Sequence, residues 1–110
     1  MLPRNRRLSR RDLNVCNLSG KTLRFPNFWL KCLANNLEYS RFAVVTSTKL
    51  AKSAVIRNKL RRNIYAQCSV LSAQGSDNFD IIFFPQKSML NLKNEKIGIV
   101  VNQALSEISK

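Results

Sequence analysis

The feature that most constrains the fold is a helix-period segment set between two strand-like runs. Residues 53–71 place Ile56, Leu60, Ile64, Cys68 and Leu71 on one stripe at steps of four and three, the spacing of a helix with one buried face. Before it, Phe42 to Ser47 is rich in Val and Thr; after it, Phe79 to Phe84 is apolar and closed by Pro85, and both compositions predict strands. Parallel pairing of those strands would make the unit a βαβ crossover. A further run, Phe28 to Leu33, predicts another strand, and the polar stretch 34–38 after it reads as a hairpin loop leading into 42–47. Residues 74–78 form a turn-rich loop before the last strand.

Two more helices complete the pattern. Ile97, Val100, Val101, Ala104, Leu105 and Ile108 recur at three and four residues, as in a helix laid against a sheet. Ser9 and Asp12 suit the start of a short helix through about Leu18, ended at Gly20-Lys21. The expected fold is α/β, an α+β sandwich of one small mixed sheet packed with about three helices. The pattern leaves the strand order open.

A chain of 110 residues supports one modest core, so a single domain over 1–110 is expected, with the Arg-rich residues 1–8 a flexible basic arm. No apolar run reaches the roughly 20 residues of a membrane span, and no secretory signal pattern is present. The expected location is the cytoplasm, with no membrane partner. The three cysteines, Cys16, Cys32 and Cys68, are widely spaced in a chain without His, which predicts small buried hydrophobes in place of disulfides or a metal site.

Lys and Arg number 19 against 6 Asp and Glu, a formal net charge of +13. Self-repulsion of that size points to a polyanionic partner. The charge concentrates in residues 49–62, where helical spacing turns Asn58, Arg61 and Arg62 away from the apolar stripe and sets Arg57 at its edge. Such a comb can hold phosphates along an RNA backbone. A solvated basic face has the same spacing, and only the imbalance of the whole chain favours binding.

The run Ala54-Val55-Ile56-Arg57-Asn58-Lys59-Leu60-Arg61-Arg62, preceded by Lys49 and Lys52, resembles the signature of the bacterial ribonuclease P protein subunit, a Lys-containing turn followed by an Ala-x-x-Arg-Asn-Arg-x-Lys-Arg helix. The resemblance extends over nearly the whole chain through Arg7-Leu8, Asp12-Leu13, Gly20-Lys21, Phe28, Arg41 to Ser47, Asp80-Ile81-Ile82 and Leu105. It implies a left-handed βαβ crossover, against the usual right-handed rule. It also implies that Lys49, Lys52, Arg57, Asn58, Lys59, Arg61 and Arg62 bind the catalytic RNA subunit. A cleft between the first helix and the sheet, with Leu13, Asn17, Phe28 and Lys31, would take the 5′ leader of precursor tRNA.

The activity so implied is endonucleolytic removal of that leader by a ribonucleoprotein holoenzyme. The RNA and its Mg²⁺ would carry the catalysis, and the protein would bind no metal by itself and need no obligate protein partner. The sequence departs from the family pattern at Leu13 and Asn17, where Phe is usual, at Lys31, aromatic in some relatives, at Lys59, which replaces the second Arg of the signature, and at Thr48 and Gln86, where Lys and Arg respectively are frequent.

The residues independently argue against side-chain catalysis. There is no His, and Asp12, Glu38, Asp77, Asp80, Glu95 and Glu107 are scattered, so neither a general base nor a metal cage is evident. They read as caps, loop solvation and helix-surface charges. The alternative reading is a small structural RNA-binding protein such as a ribosomal component; a free-standing ribonuclease lacks its base, and a DNA binder lacks a recognition motif.

Overall fold

The computed structural model describes residues 7–35, 39–72 and 79–108, with side chains 69–72 excepted. Residues 1–6 of the expected arm, residues 36–38 of the 34–38 loop and all of the 74–78 loop lie outside these residues. The elements are α1 (Arg10–Ser19), β1 (Lys21–Arg24), β2 (Phe28–Ala34), β3 (Arg41–Val44), α2 (Ala54–Ser72), β4 (Phe79–Pro85), a 3-10 turn (Lys87–Asn91) and α3 (Asn94–Ile108).

The sheet is mixed, in the order β1-β2-β4-β3. β1 and β4 each pair antiparallel with β2, and β3 pairs parallel with β4, so β3-α2-β4 is the crossover the sequence predicts. The expected β2–β3 hairpin is not formed, because β4 lies between them. The reason is burial: Asp80, Ile81, Ile82 and Phe83 are consecutively buried, and a strand covered on both faces belongs in the interior of a sheet.

β1 is an element the sequence reading lacks. Lys21, Thr22 and Arg24 are exposed and only Leu23 turns toward the core, the profile of a charged edge strand. Chain direction brings it there: Ser9 caps α1 by accepting from the Asp12 N–H at 3.2 Å, and the Gly20 N–H donates to the Cys16 carbonyl at 2.7 Å as the helix ends. A Cβ at Gly20 would collide with that carbonyl and stand 3.1 Å from the Cys32 carbonyl oxygen, so this crossing over β2 requires glycine.

Alternation along the strands divides the molecule into two layers. Phe28, Leu30, Phe42, Ile81 and Phe83 face α2 and α3, where they meet Leu60, Ile64 and Cys68 and then Ile97, Val101 and Ala104. The opposite face carries a smaller cluster of Cys16, Ala43 and Ile82 beneath α1, with Leu8, Leu13, Leu33 and Phe84 packed around it. The predicted α2 stripe therefore begins at Leu60. Ile56 is 47% exposed, and the whole first turn of α2 holds no buried residue. Leu71 lies among the side chains not described.

Arg7 and Leu8, expected to be the end of a free arm, are seated on the sheet. The Leu8 N–H donates to the Phe42 carbonyl at 2.8 Å, and Arg7 bridges Phe42 in parallel, so these two residues shield the open edge of β3.

All three cysteines are free and buried. Burial pushes the Cys16 thiol up to about 11, with Asp80 adding to it, and burial raises Cys32 and Cys68 as well. Because the thiolate is the reactive form, the native protein at pH 8 is expected to resist a thiol reagent such as Ellman's and to release all three thiols only in denaturant. Rapid labelling of native protein would contradict this packing. Among the described residues no helix is long and apolar enough to cross a membrane.

Candidate nucleic-acid interface

The cationic surface is built by the turn before α2 and the first turns of the helix. The Leu50 N–H donates to the Ser47 carbonyl at 3.0 Å, closing the turn, and Arg57 clamps it by donating to the carbonyls of Ala51 at 2.6 Å and Lys52 at 3.0 Å. Arg61 ties the helix to the end of β3, donating to Thr46 Oγ1 at 2.6 Å and to Asn58 Oδ1 at 3.2 Å. Lys49, Lys52, Asn58, Lys59 and Arg62 are exposed beside them.

All seven residues expected here thus lie on one continuous segment. Arg57 and Arg61 shape the surface with some of their donors, while Lys49, Lys52, Lys59 and Arg62 present charge to solvent. A guanidinium has five N–H donors and no acceptor, so the two shaping arginines keep donors for an anion. The segment also occupies the N-terminal end of α2, where the helix dipole is positive.

The face under α1 is the second candidate surface. Cys16 is fully buried and donates to the Asp80 carbonyl at 3.3 Å, and Leu13 packs beside it. Asn17 is exposed, and its carbonyl accepts from Lys31 Nζ at 2.6 Å. Lys31, expected to offer its charge to an RNA, is therefore engaged with the C-terminal end of α1, a favourable place for a cation.

Phe28 does not belong to this face. It is 1% exposed within the α2–α3 layer, stacked on Phe25 and tilted against Phe83, since successive residues of a strand point to opposite sides. The aromatic that shares Lys31's face is Trp29. Its ring stacks on Phe84 at 3.9 Å between centroids with an interplanar angle of 5°, and the Arg24 guanidinium lies 5.9 Å from the ring centroid. Arg24, Trp29 and Phe84 form a ladder across β1, β2 and β4. In sequence, strand alternation sets Trp29 opposite to Phe28 without saying which of them meets α1, and Arg24 and Phe84 carry no local signal.

A charge cluster fixes α1 above this face. Asp80, 5% exposed, accepts from Arg41 Nε at 2.9 Å, from Arg41 Nη2 at 2.7 Å and from Asn35 Nδ2 at 2.8 Å. Arg41 Nη1 donates to Asp12 Oδ2 on α1 at 2.8 Å, and the hydrogen bond to Asp80 is the main influence raising the guanidinium pKa. Two acids that look isolated in sequence are thereby joined through one arginine. Both are acceptors for Arg41, and among the described residues no group of three or more His, Cys, Asp and Glu gathers as a metal site.

Comparison with known proteins agrees with this architecture. A family model described as Ribonuclease P matches residues 2–109. The chain is 31% identical over 108 residues to the ribonuclease P protein component of Synechocystis sp., covering 96% of this chain and 87% of the relative. It superposes on the RNase P protein from Thermotoga maritima with a TM-score of 0.83 at 25% identity, covering 92% of this chain and 96% of the other. A Staphylococcus aureus RNase P protein mutant gives a TM-score of 0.86 at 20% identity, over 96% and 89% of the two chains, a likeness of fold. A match over almost the full length, on a chain whose sheet order and cationic helix are those just described, shows that it belongs to the ribonuclease P protein family.

Proposed function

We propose that this chain, as the protein subunit of ribonuclease P, grips the catalytic RNA with the 49–62 segment and guides the 5′ leader of precursor tRNA along the face beside α1. The holoenzyme is an endoribonuclease, and family membership sets aside the ribosomal alternative. The observation that carries the RNA-binding assignment is the set of exposed cations Lys49, Lys52, Lys59 and Arg62 on a turn and helix start that Arg57 and Arg61 hold in shape.

Chemically, the protein contributes charge and position. Cations along α2 neutralise phosphates and release their counterions, which lets two RNAs approach. The strand break itself is assigned to the RNA and its Mg²⁺, since the described side chains offer neither a metal cage nor a paired base. On the second face, the Arg24–Trp29–Phe84 ladder supplies the cation and aromatic surface that single-stranded nucleic acid uses. It takes over from the Phe residues that the family usually carries at positions 13 and 17.

The test compares precursor tRNA with and without its leader. Trp29→Leu is expected to weaken holoenzyme binding of the leader-bearing substrate by about 1–3 kcal/mol, the range for one base–aromatic contact, and to leave the leaderless substrate unchanged. Equal losses for both substrates, or no loss for either, would remove the leader from this face.

A further inference from the structure

The cationic segment has an apolar centre. Val55, in the first turn of α2, is 72% exposed, and Ile56 beside it is 47% exposed. Helical spacing sets Val55 in line with Lys59 and Arg62, at steps of four and three, on the side of α2 opposite Leu60 and Ile64. Lys52 precedes this pair and Asn58 lies one turn further along, both exposed. Among the described residues the ion pairs, to Asp12 and Asp80, both belong to Arg41, so the cations around Val55 have no carboxylate partner there.

The Asn58 amide has a fixed sense. Its Oδ1 accepts from Arg61 Nη1 at 3.2 Å, and Arg61 is itself tied to Thr46 Oγ1 at 2.6 Å. A guanidinium only donates, so the oxygen of the amide faces Arg61 and the Nδ2 hydrogens are left for a ligand acceptor.

A regular RNA duplex does not match this centre. Along its minor groove it shows phosphates, 2′-hydroxyls and base edges, which suit cations and amides but give valine and isoleucine no apolar partner. An unpaired nucleotide shows the face of its base, acceptors on the base edge and a phosphate on either side. Each kind of group on this surface then has a counterpart.

We infer that Val55 and Ile56 pack against the base of one unpaired nucleotide of the catalytic RNA, with Asn58 Nδ2 donating to it and Lys52 and Lys59 on the flanking phosphates. This rests on the proposal that the 49–62 segment grips the catalytic RNA, and it names the feature gripped: a bulge or loop nucleotide in place of a continuous duplex. Because the amide offers donors only, the paired donor and acceptor contacts by which Asn reads adenine are not made here.

The experiment measures binding of the full chain to the catalytic RNA alone, over a range of KCl, for wild type, Val55→Thr and Arg62→Ala. Threonine keeps the shape and helix propensity of valine and exchanges one methyl for a hydroxyl. Val55→Thr is expected to bind roughly fivefold more weakly at every salt concentration, with the wild-type slope of log K against log salt, because no phosphate contact is lost. Arg62→Ala should make that slope shallower by about 0.7–0.9. Probing the RNA with a base-modifying reagent should reveal one unpaired base that wild type protects and Val55→Thr exposes again. Making that nucleotide abasic should weaken wild-type binding about as much as Val55→Thr does, with little further loss when the two changes are combined.

Wild-type affinity in Val55→Thr beside a loss in Arg62→Ala would overturn the apolar contact and leave the α2 interface standing. The absence of any unpaired base protected by wild type, or multiplicative losses on combining the abasic nucleotide with Val55→Thr, would also overturn it. Unchanged binding in both protein variants would remove the α2 interface itself. Val55 is exposed, so the melting temperature of the free protein should not change in Val55→Thr; a fall that accounts for the affinity loss would reduce Val55 to a structural part.

Discussion

Replacing Asp80 by Ala is expected to cost about 3–5 kcal/mol of folding stability, the range for removing one partner of a buried ion pair. Asp80 is 5% exposed, and its carboxylate is the acceptor for two Arg41 donors and for Asn35. Without it, a guanidinium whose side chain is only 19% exposed keeps its charge and loses its main acceptor. Asp12→Ala removes the other carboxylate, whose side chain is 36% exposed, and is expected to cost only about 1 kcal/mol, because solvent screens that pair. Urea unfolding measures both. Equal and small losses would show that Asp80 does not anchor the sheet to α1.

That cluster marks the boundary of what local sequence conveys. The helical stripe through Leu60, Ile64 and Cys68 and the α3 pattern around Ile97 and Val101 are set by periodicity, and the structure buries those residues. The basic segment was equally legible, since charge and spacing are local. Residues 12, 41 and 80 are far apart in sequence, and nothing near any of them signals that folding brings them together. β1 escaped because one apolar residue in four gives no alternation to read, and its existence depends on β2 offering an edge. The choice between Phe28 and Trp29 for the α1 face needed a phase that alternation alone does not supply. The family pattern led to Phe28, and strand pairing reverses that choice. The β2–β3 hairpin failed for a related reason: a short local loop lost to the deeper burial of β4.

Changing Lys52, Lys59 and Arg62 together to Ala is expected to weaken binding to the catalytic RNA by about 10²–10³ at physiological salt. The log K against log salt slope should become shallower by about 2–3, as three phosphate contacts disappear. These side chains are exposed, so stability should change by no more than about 0.5 kcal/mol each. Binding isotherms across salt concentrations, paired with unfolding curves, separate lost contacts from lost structure. An unchanged salt slope would mean that this surface does not meet the RNA backbone. The predicted loss exceeds that from Arg57 alone, because part of the Arg57 guanidinium is committed to the Ala51 and Lys52 carbonyls.

As proposed above, this chain assists cleavage by an RNA partner through charge and positioning. The most direct measurement is multiple-turnover cleavage of a leader-bearing precursor tRNA by the catalytic RNA at low, near-physiological Mg²⁺, with and without the protein. Strong stimulation by wild type, largely lost in the Lys52, Lys59 and Arg62 triple variant, is the predicted result. Equal turnover with and without the protein, or full stimulation by the triple variant, would contradict the account.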